Sequence, residues 1–127
     1  MDKKIIATAA FLGLTGIVLG AFGAHGLQKI ISAQDVATFE TGVKYQMYHA
    51  LFLLIVSRRS EVSDKTKSTI GWLVTFGVLL FSGSIYLLSS GLAENVKKVV
   101  GPLTPIGGSL MIAGWIVLLI TFLRKKS

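Results

Sequence analysis

Cysteine is absent from the chain, which excludes disulfides, thiolate metal sites and cysteine nucleophiles from the start. Charge is scarce too: 15% of the 127 residues are Asp, Glu, Lys or Arg, and only 6 are acidic. Soluble domains carry about a quarter charged residues. The deficit, with 52% hydrophobic residues and a mean hydropathy of +0.70, therefore points to a membrane. The phosphate-cradling patterns GxxxxGKS/T and GxGxxG are missing, and no Ser-His-acid or Ser-Lys constellation is recognisable. A net charge of +7 is compatible with nucleic-acid binding. The basic residues, however, form short clusters at the ends of apolar runs and no continuous stripe, so no nucleic-acid partner is expected.

What is present is a succession of long apolar runs. A membrane span needs about 20 such residues. Three charge-free segments meet this, roughly residues 5–24, 70–90 and 103–123. The first could pass for a secretory signal, but its apolar run is longer than a signal core and further hydrophobic segments follow, so it reads as a retained helix. A fourth segment, roughly 38–57, has a clean apolar core only from Met47 to Val56. That core is too short to cross alone. It crosses only if its polar upstream half is also helical and turned toward protein or the interface.

Local chemistry supports such a helix. Ser32 reads as an N-cap with Asp35 three residues on, and Glu40 precedes Lys44 at the favourable i,i+4 spacing. Thr104 followed by Pro105 is a comparable start signal for the last span. The fold class expected is an all-α membrane protein, a four-transmembrane-helix bundle with short loops, forming one domain over residues 1–127. One side of the membrane would hold Lys3, Lys4, Arg58, Arg59, Lys65, Lys67, Arg124, Lys125 and Lys126, against Lys29, Lys44, Lys97 and Lys98 on the other. That asymmetry predicts that both termini are cytoplasmic.

The 14 glycines suit helices packed closely in lipid. Ala9, Gly13, Gly16, Gly20 and Gly23 read as one small-residue face of the first span, and Gly107, Gly108 and Gly114 serve the last. Thr75, Ser82, Tyr86 and Ser89 form a stripe on the third. In the second, Gly42, Gln46 and His49 share a face with Tyr45 beside it. At about 1.5 Å per residue, His49 lies about 12 Å from the end that carries the termini, level with Gly13, Gly114 and Trp115. Gln46 lies about 16 Å in on the same scale, near Gly16, Ser82 and Met111.

His25 would lie about 18 Å from His49 in depth, whereas two ligands of one zinc each sit about 2 Å from the metal. No metal site is expected. His25, at the outer end of the first span, is expected to cap free carbonyls.

Four motifs, GAFGAHGL at 20–27, YQMYHAL at 45–51, FSGSIYLL at 81–88 and GPLTPIGG at 101–108, occur in order. Together they make the chain similar to domain-of-unknown-function family 423, the YgdD-like small bacterial inner-membrane proteins. The resemblance implies a four-helix multi-pass membrane protein without an established activity. Its recurring positions fall on Gly20, Gly23, His25, Gly26, Tyr45, Gln46, His49, Ser82, Gly83, Tyr86, Thr104, Pro105, Gly107 and Gly108; the family supplies no catalytic residue.

The reading favoured is a structural or interaction bundle that supports membrane integrity or assembly. Its partners would be membrane lipids and either further copies of itself or other membrane proteins. The alternative is binding or transport of a small solute, proton or lipid through Tyr45, Gln46, His49, Ser82 and Tyr86. An intramembrane enzyme would need a reacting group within about 3 Å of His49; no enzyme activity and no cofactor are expected.

Overall fold

The computed structural model describes residues 2–90 and 94–124. Those residues form five α-helices and one 3₁₀ turn: α1 (Asp2–His25), the turn (Leu27–Lys29), α2 (Ala33–Ser57), α3 (Asp64–Leu88), α4 (Glu94–Val100) and α5 (Leu103–Leu123). Among the described residues there is no strand. Helices α1, α2, α3 and α5 are the four long elements. Three helical segments, Asp2–Lys29, Asp64–Leu88 and Asn95–Leu123, are long and apolar enough to cross a membrane, and α2 is not among them. Its 25 residues rise about 37 Å, enough to cross a hydrocarbon core of about 30 Å. What α2 lacks is uniform apolarity.

Capping residues explain where the helices start. Ser32 Oγ accepts the Asp35 amide at 3.1 Å, and Ser63 Oγ accepts the Thr66 amide at 3.2 Å. The second cap starts α3 at Asp64, six residues before the apolar run that announces the span, and α3 ends at Leu88 with Ser89 as its C-cap. The connection before α5 contains the short α4, which the apolar pattern does not announce. Pro105 stands in the first turn of α5, where its missing amide hydrogen leaves no carbonyl unserved.

The helices pack in the order α1 on α2, α2 on α3, and α3 on α5, with α1 also touching α3. Among the described residues α5 pairs closely with neither α1 nor α2. Thus α2 and α3 are central, and α1 and α5 flank them. The share of the apolar stretch buried inside the protein follows this order: 39% for α3, against 22% and 17% for the stretches containing α1 and α5. The core runs through Ile5, Ala9 and Leu12 of α1, Ala50, Phe52, Leu53 and Val56 of α2, Ile70, Val74 and Val78 of α3, and Met111 of α5.

The closest approach is between α3 and α5. A Cβ on Gly107 would land on the Phe81 amide nitrogen and 2.6 Å from the Gly77 carbonyl oxygen; one on Gly114 would lie 2.6 Å from Val74 Cγ2. Any side chain at Gly107 would push the two backbones apart. Gly108 makes no such demand, since its Cβ would sit in ordinary contact, 3.6 Å from Phe81.

On α1, Gly16, Gly20 and Gly23 face Met47, Val43 and Phe39 of α2. Gly13, expected in that line, is not in it: a methyl there would meet nothing within 4 Å. The buried line runs Ile5, Ala9, Leu12, Gly16 and Gly23, so Leu12 takes the place that the spacing assigns to Gly13.

Candidate functional site

Phe39, Gly42, Gln46, His49, Leu53 and Val56 are all buried, and their alternating spacing of three and four residues makes one inward face of α2. The polar residues at its centre meet partners on every neighbouring long helix. Gln46 Nε2 donates to the Leu12 carbonyl and to Thr15 Oγ1, each at 2.8 Å, while Gln46 Oε1 accepts from the Tyr86 hydroxyl at 2.6 Å. One amide therefore ties α1 to α3 through α2. Gly16 lies beside this contact: a Cβ there would be in ordinary contact with Gln46 Nε2 at 3.5 Å but would crowd Met47 Sδ at 2.6 Å.

One turn earlier, Ser82 Oγ donates to the Gly42 carbonyl at 2.7 Å. A Cβ at Gly42 would lie 2.8 Å from Tyr86 Cε1, so glycine is what lets the two helices close over this bond.

One turn later, the Trp115 indole Nε1 donates to His49 Nε2 at 3.1 Å, and His49 Nδ1 lies 2.7 Å from the Tyr45 carbonyl oxygen. An indole N–H only donates. His49 Nε2 must then accept, which leaves the proton on Nδ1, where it is donated to Tyr45. The rings of Tyr45, Phe52 and Trp115 surround the imidazole, and His49 is only 4% exposed.

The five polar residues singled out in the sequence thus divide. Gln46 and Tyr86 bond to each other. Ser82 bonds to the α2 backbone, and His49 bonds to α5. Tyr45 stands apart: it is 40% exposed and packs edge-on against Tyr48 and Phe81, and it enters the hydrogen-bond set only through its backbone carbonyl. Depth along the spans puts Gly114 level with His49, but Gly114 faces Val74 of α3, and Trp115 is the residue that reaches the imidazole. Depth fixes a level and says nothing about direction around the helix axis. Thr104 Oγ1 pairs with Ser84 Oγ at the other end of α3–α5.

His25 does not cap α1. Its imidazole is exposed and makes no hydrogen bond among the described residues. The helix instead ends with the Gly26 amide on the Phe22 carbonyl at 2.9 Å and the 3₁₀ turn beyond it. Glu40 and Lys44 likewise form no ion pair among the described residues.

A residue expected only as one of the orienting cations proves central at the end that holds the termini. Lys67, 5% exposed, donates from Nζ to the Ser57 carbonyl at 3.0 Å and to Asp2 Oδ1 at 3.4 Å. Ser57 closes α2, so the ammonium meets a helix C-terminus, where positive charge is favoured. Asp2 opens α1. Lys67 therefore joins three helix ends. The sequence signal that locates it is the Ser63–Thr66 cap, which makes residue 67 helical and inward instead of one more loop charge.

Among the described residues no cluster of three His, Asp or Glu could hold a metal ion, and no buried side-chain nitrogen or oxygen lacks a partner. Residues 19–108 match the family described as Protein of unknown function (DUF423). The chain belongs to this family. All four sequence motifs fall inside the matched segment.

The UPF0382 membrane protein of Staphylococcus saprophyticus is 40% identical over 118 residues, covering 93% of this chain and 95% of that one. YwdK of Bacillus subtilis, also a UPF0382 membrane protein, is 38% identical over 126 residues, covering 96% and 98%. That of Haemophilus influenzae is 38% identical over 129 residues, covering 100% and 99%. No solved structure matches the chain. This DUF423 protein is accordingly a multi-pass membrane protein, and its relatives' names state membrane residence without an activity.

Proposed function

We propose that this DUF423 protein is a membrane scaffold, a self-contained helical bundle that supports bilayer integrity or the assembly of other membrane proteins, and neither an enzyme nor a carrier. The closure of its polar interior carries this reading. Gln46, Ser82, Tyr86 and His49 are all bonded to neighbouring helices or to the backbone. A binding site keeps a few polar groups free for its ligand, and a general base keeps a path to its proton. His49 has both nitrogens occupied and rings on three sides.

The bundle sits in the cell membrane with both termini in the cytoplasm. Nine Lys and Arg residues at the end with the termini, against four at the other, support that orientation. Reporter fusions at both termini and at the Arg58–Arg59 turn should all report cytoplasm; a split among them overturns the topology.

The function is tested with Gln46→Leu and His49→Phe combined. A scaffold keeps its cellular role in proportion to the folded protein that remains. A variant that folds to wild-type levels yet loses the role contradicts the proposal. So would proton flux into proteoliposomes that disappears with His49→Phe.

A further inference from the structure

Away from the closed polar face, a groove of about 430 Å³ opens between α1 and α3 over Leu53 of α2. Ile5, Ala7, Gly71 and Trp72 line its walls, Lys4 and Ser68 lie at its mouth, and Thr8 and Thr75 lie deeper. Its size falls in the range of small-molecule sites, about 300–1,000 Å³. From Ser68 to Thr75 it runs about 10 Å down α3, from the level of the basic helix ends into the apolar span.

Two observations say what fits there. The first is charge. Lys4 is exposed and has no acidic partner among the described residues. Around it, described residues at this end include Lys3, Arg58, Arg59, Lys65, Lys67 and Arg124 against Asp2, Glu61 and Asp64, seven cations including Lys4 to three anions. The second is hydrogen bonding. Serine and threonine hydroxyls in helices generally bond to a carbonyl one turn back, as Thr8, Thr15, Thr38, Thr41, Thr69, Ser109 and Thr121 do here. Ser68 and Thr75 are the helical serine and threonine whose hydroxyls, among the described residues, have no hydrogen-bond partner, and both line this groove.

An apolar channel with a free cation and a free hydroxyl at its headgroup-level mouth matches one chemistry. We propose that the groove is a binding site for an anionic glycerophospholipid. One acyl chain lies between α1 and α3 against Leu53 and Trp72. The phosphate meets the Lys4 ammonium, and Ser68 donates to a phosphate or ester oxygen. The inference goes beyond the scaffold reading and does not depend on it, since a carrier could hold the same lipid.

The test uses the full chain in bilayers of phosphatidylcholine with brominated phosphatidylglycerol or brominated phosphatidylcholine as quencher. The Trp72 signal is taken as the difference between wild type and Trp72→Phe. A basic side chain near an anionic surface is worth roughly a fivefold preference, so wild type should bind phosphatidylglycerol about fivefold over phosphatidylcholine at this site. Lys4→Gln should bring the ratio near one with the fold unchanged, and Gly71→Leu, which fills the groove, should reduce quenching by both lipids.

Equal association of the two lipids with wild type overturns the proposal. So does a preference that survives both Lys4→Gln and Gly71→Leu, which would be general attraction to the basic end. In this cysteine-free chain, efficient Ser68→Cys disulfide dimers in bilayers would assign the groove to a second copy and also overturn it.

Discussion

The α3–α5 and α1–α2 contacts use glycine differently. Between α3 and α5 it lets backbones meet, Gly107 lying on the Phe81 amide and beside the Gly77 carbonyl, and at Gly114 it also receives Val74. Between α1 and α2 it makes room for large side chains, with Gly16, Gly20 and Gly23 receiving Met47, Val43 and Phe39. Only the second contact carries a buried side-chain amide, that of Gln46. The difference follows from what each helix is made of. Helix α5 lies in a segment apolar enough to cross lipid, and close packing on α3, together with two side-chain bonds, Thr104 to Ser84 and Trp115 to His49, holds it. Helix α2 is not apolar enough, so it occupies the centre, and its polar groups are bonded from both sides. A marginal span becomes tenable when its neighbours supply carbonyls and hydroxyls in place of water.

If backbone contact governs the α3–α5 side, Gly107→Leu should do more damage than any other single change in either contact. Overpacking costs about 1–3 kcal/mol and more where nothing can yield. A Cβ against two backbones belongs at the upper limit, about 3 kcal/mol, read as loss of folded protein in a denaturant titration in detergent. If bonding governs the α1–α2 side, Gln46→Leu should follow. It removes three hydrogen bonds worth on average about 0.6 kcal/mol each in membrane proteins, among them the one from the Tyr86 hydroxyl. A loss of about 1–2 kcal/mol is expected by the same titration.

Trp115→Phe keeps an aromatic ring but deletes the indole N–H and part of the surface packed on Phe52, so at least about 0.6 kcal/mol should go. Nitrogen NMR of wild type should also find His49 protonated on Nδ1; a proton on Nε2 would remove the Trp115 bond from the account. The smallest effect sharpens the contrast within one helix. Gly13→Ala should cost nothing and can gain roughly 0.5 kcal/mol from helix propensity. Gly16→Ala, whose methyl would come within 2.6 Å of Met47 Sδ and force that side chain to move, should be less stable than Gly13→Ala in thermal melts that compare the two variants.

These contrasts also mark what is legible in the sequence. The long helices follow from apolar runs, and the inward turn of Gln46 and His49 follows from the difficulty of leaving them in lipid. Neither inference needs a partner. Pairing does: that α5 lies against α3, with Trp115 reaching across to His49 of α2, depends on Gly77, Gly107 and Met111 fitting together, and no single helix encodes that register. Spacing misplaces Gly13 for the same reason, because the pattern along α1 finds small residues without showing which of them α2 approaches. Lys67 is hidden in another way. In the sequence it is one cation in a basic cluster, and only the start of α3 at Asp64 turns it inward onto Ser57 and Asp2.

The central claim is that the hydrophilic side of α2 is satisfied within the chain. A double-mutant cycle between Gln46→Leu and Tyr86→Phe, measured by reversible unfolding in detergent micelles, tests it most directly. Their coupling should be favourable, about 0.6 kcal/mol and at most about 1.7 kcal/mol, the average and the upper limit for hydrogen bonds between membrane helices. Strict additivity, with no coupling outside error, would mean that the amide and the phenol do not hold each other, and the account of α2 would fail.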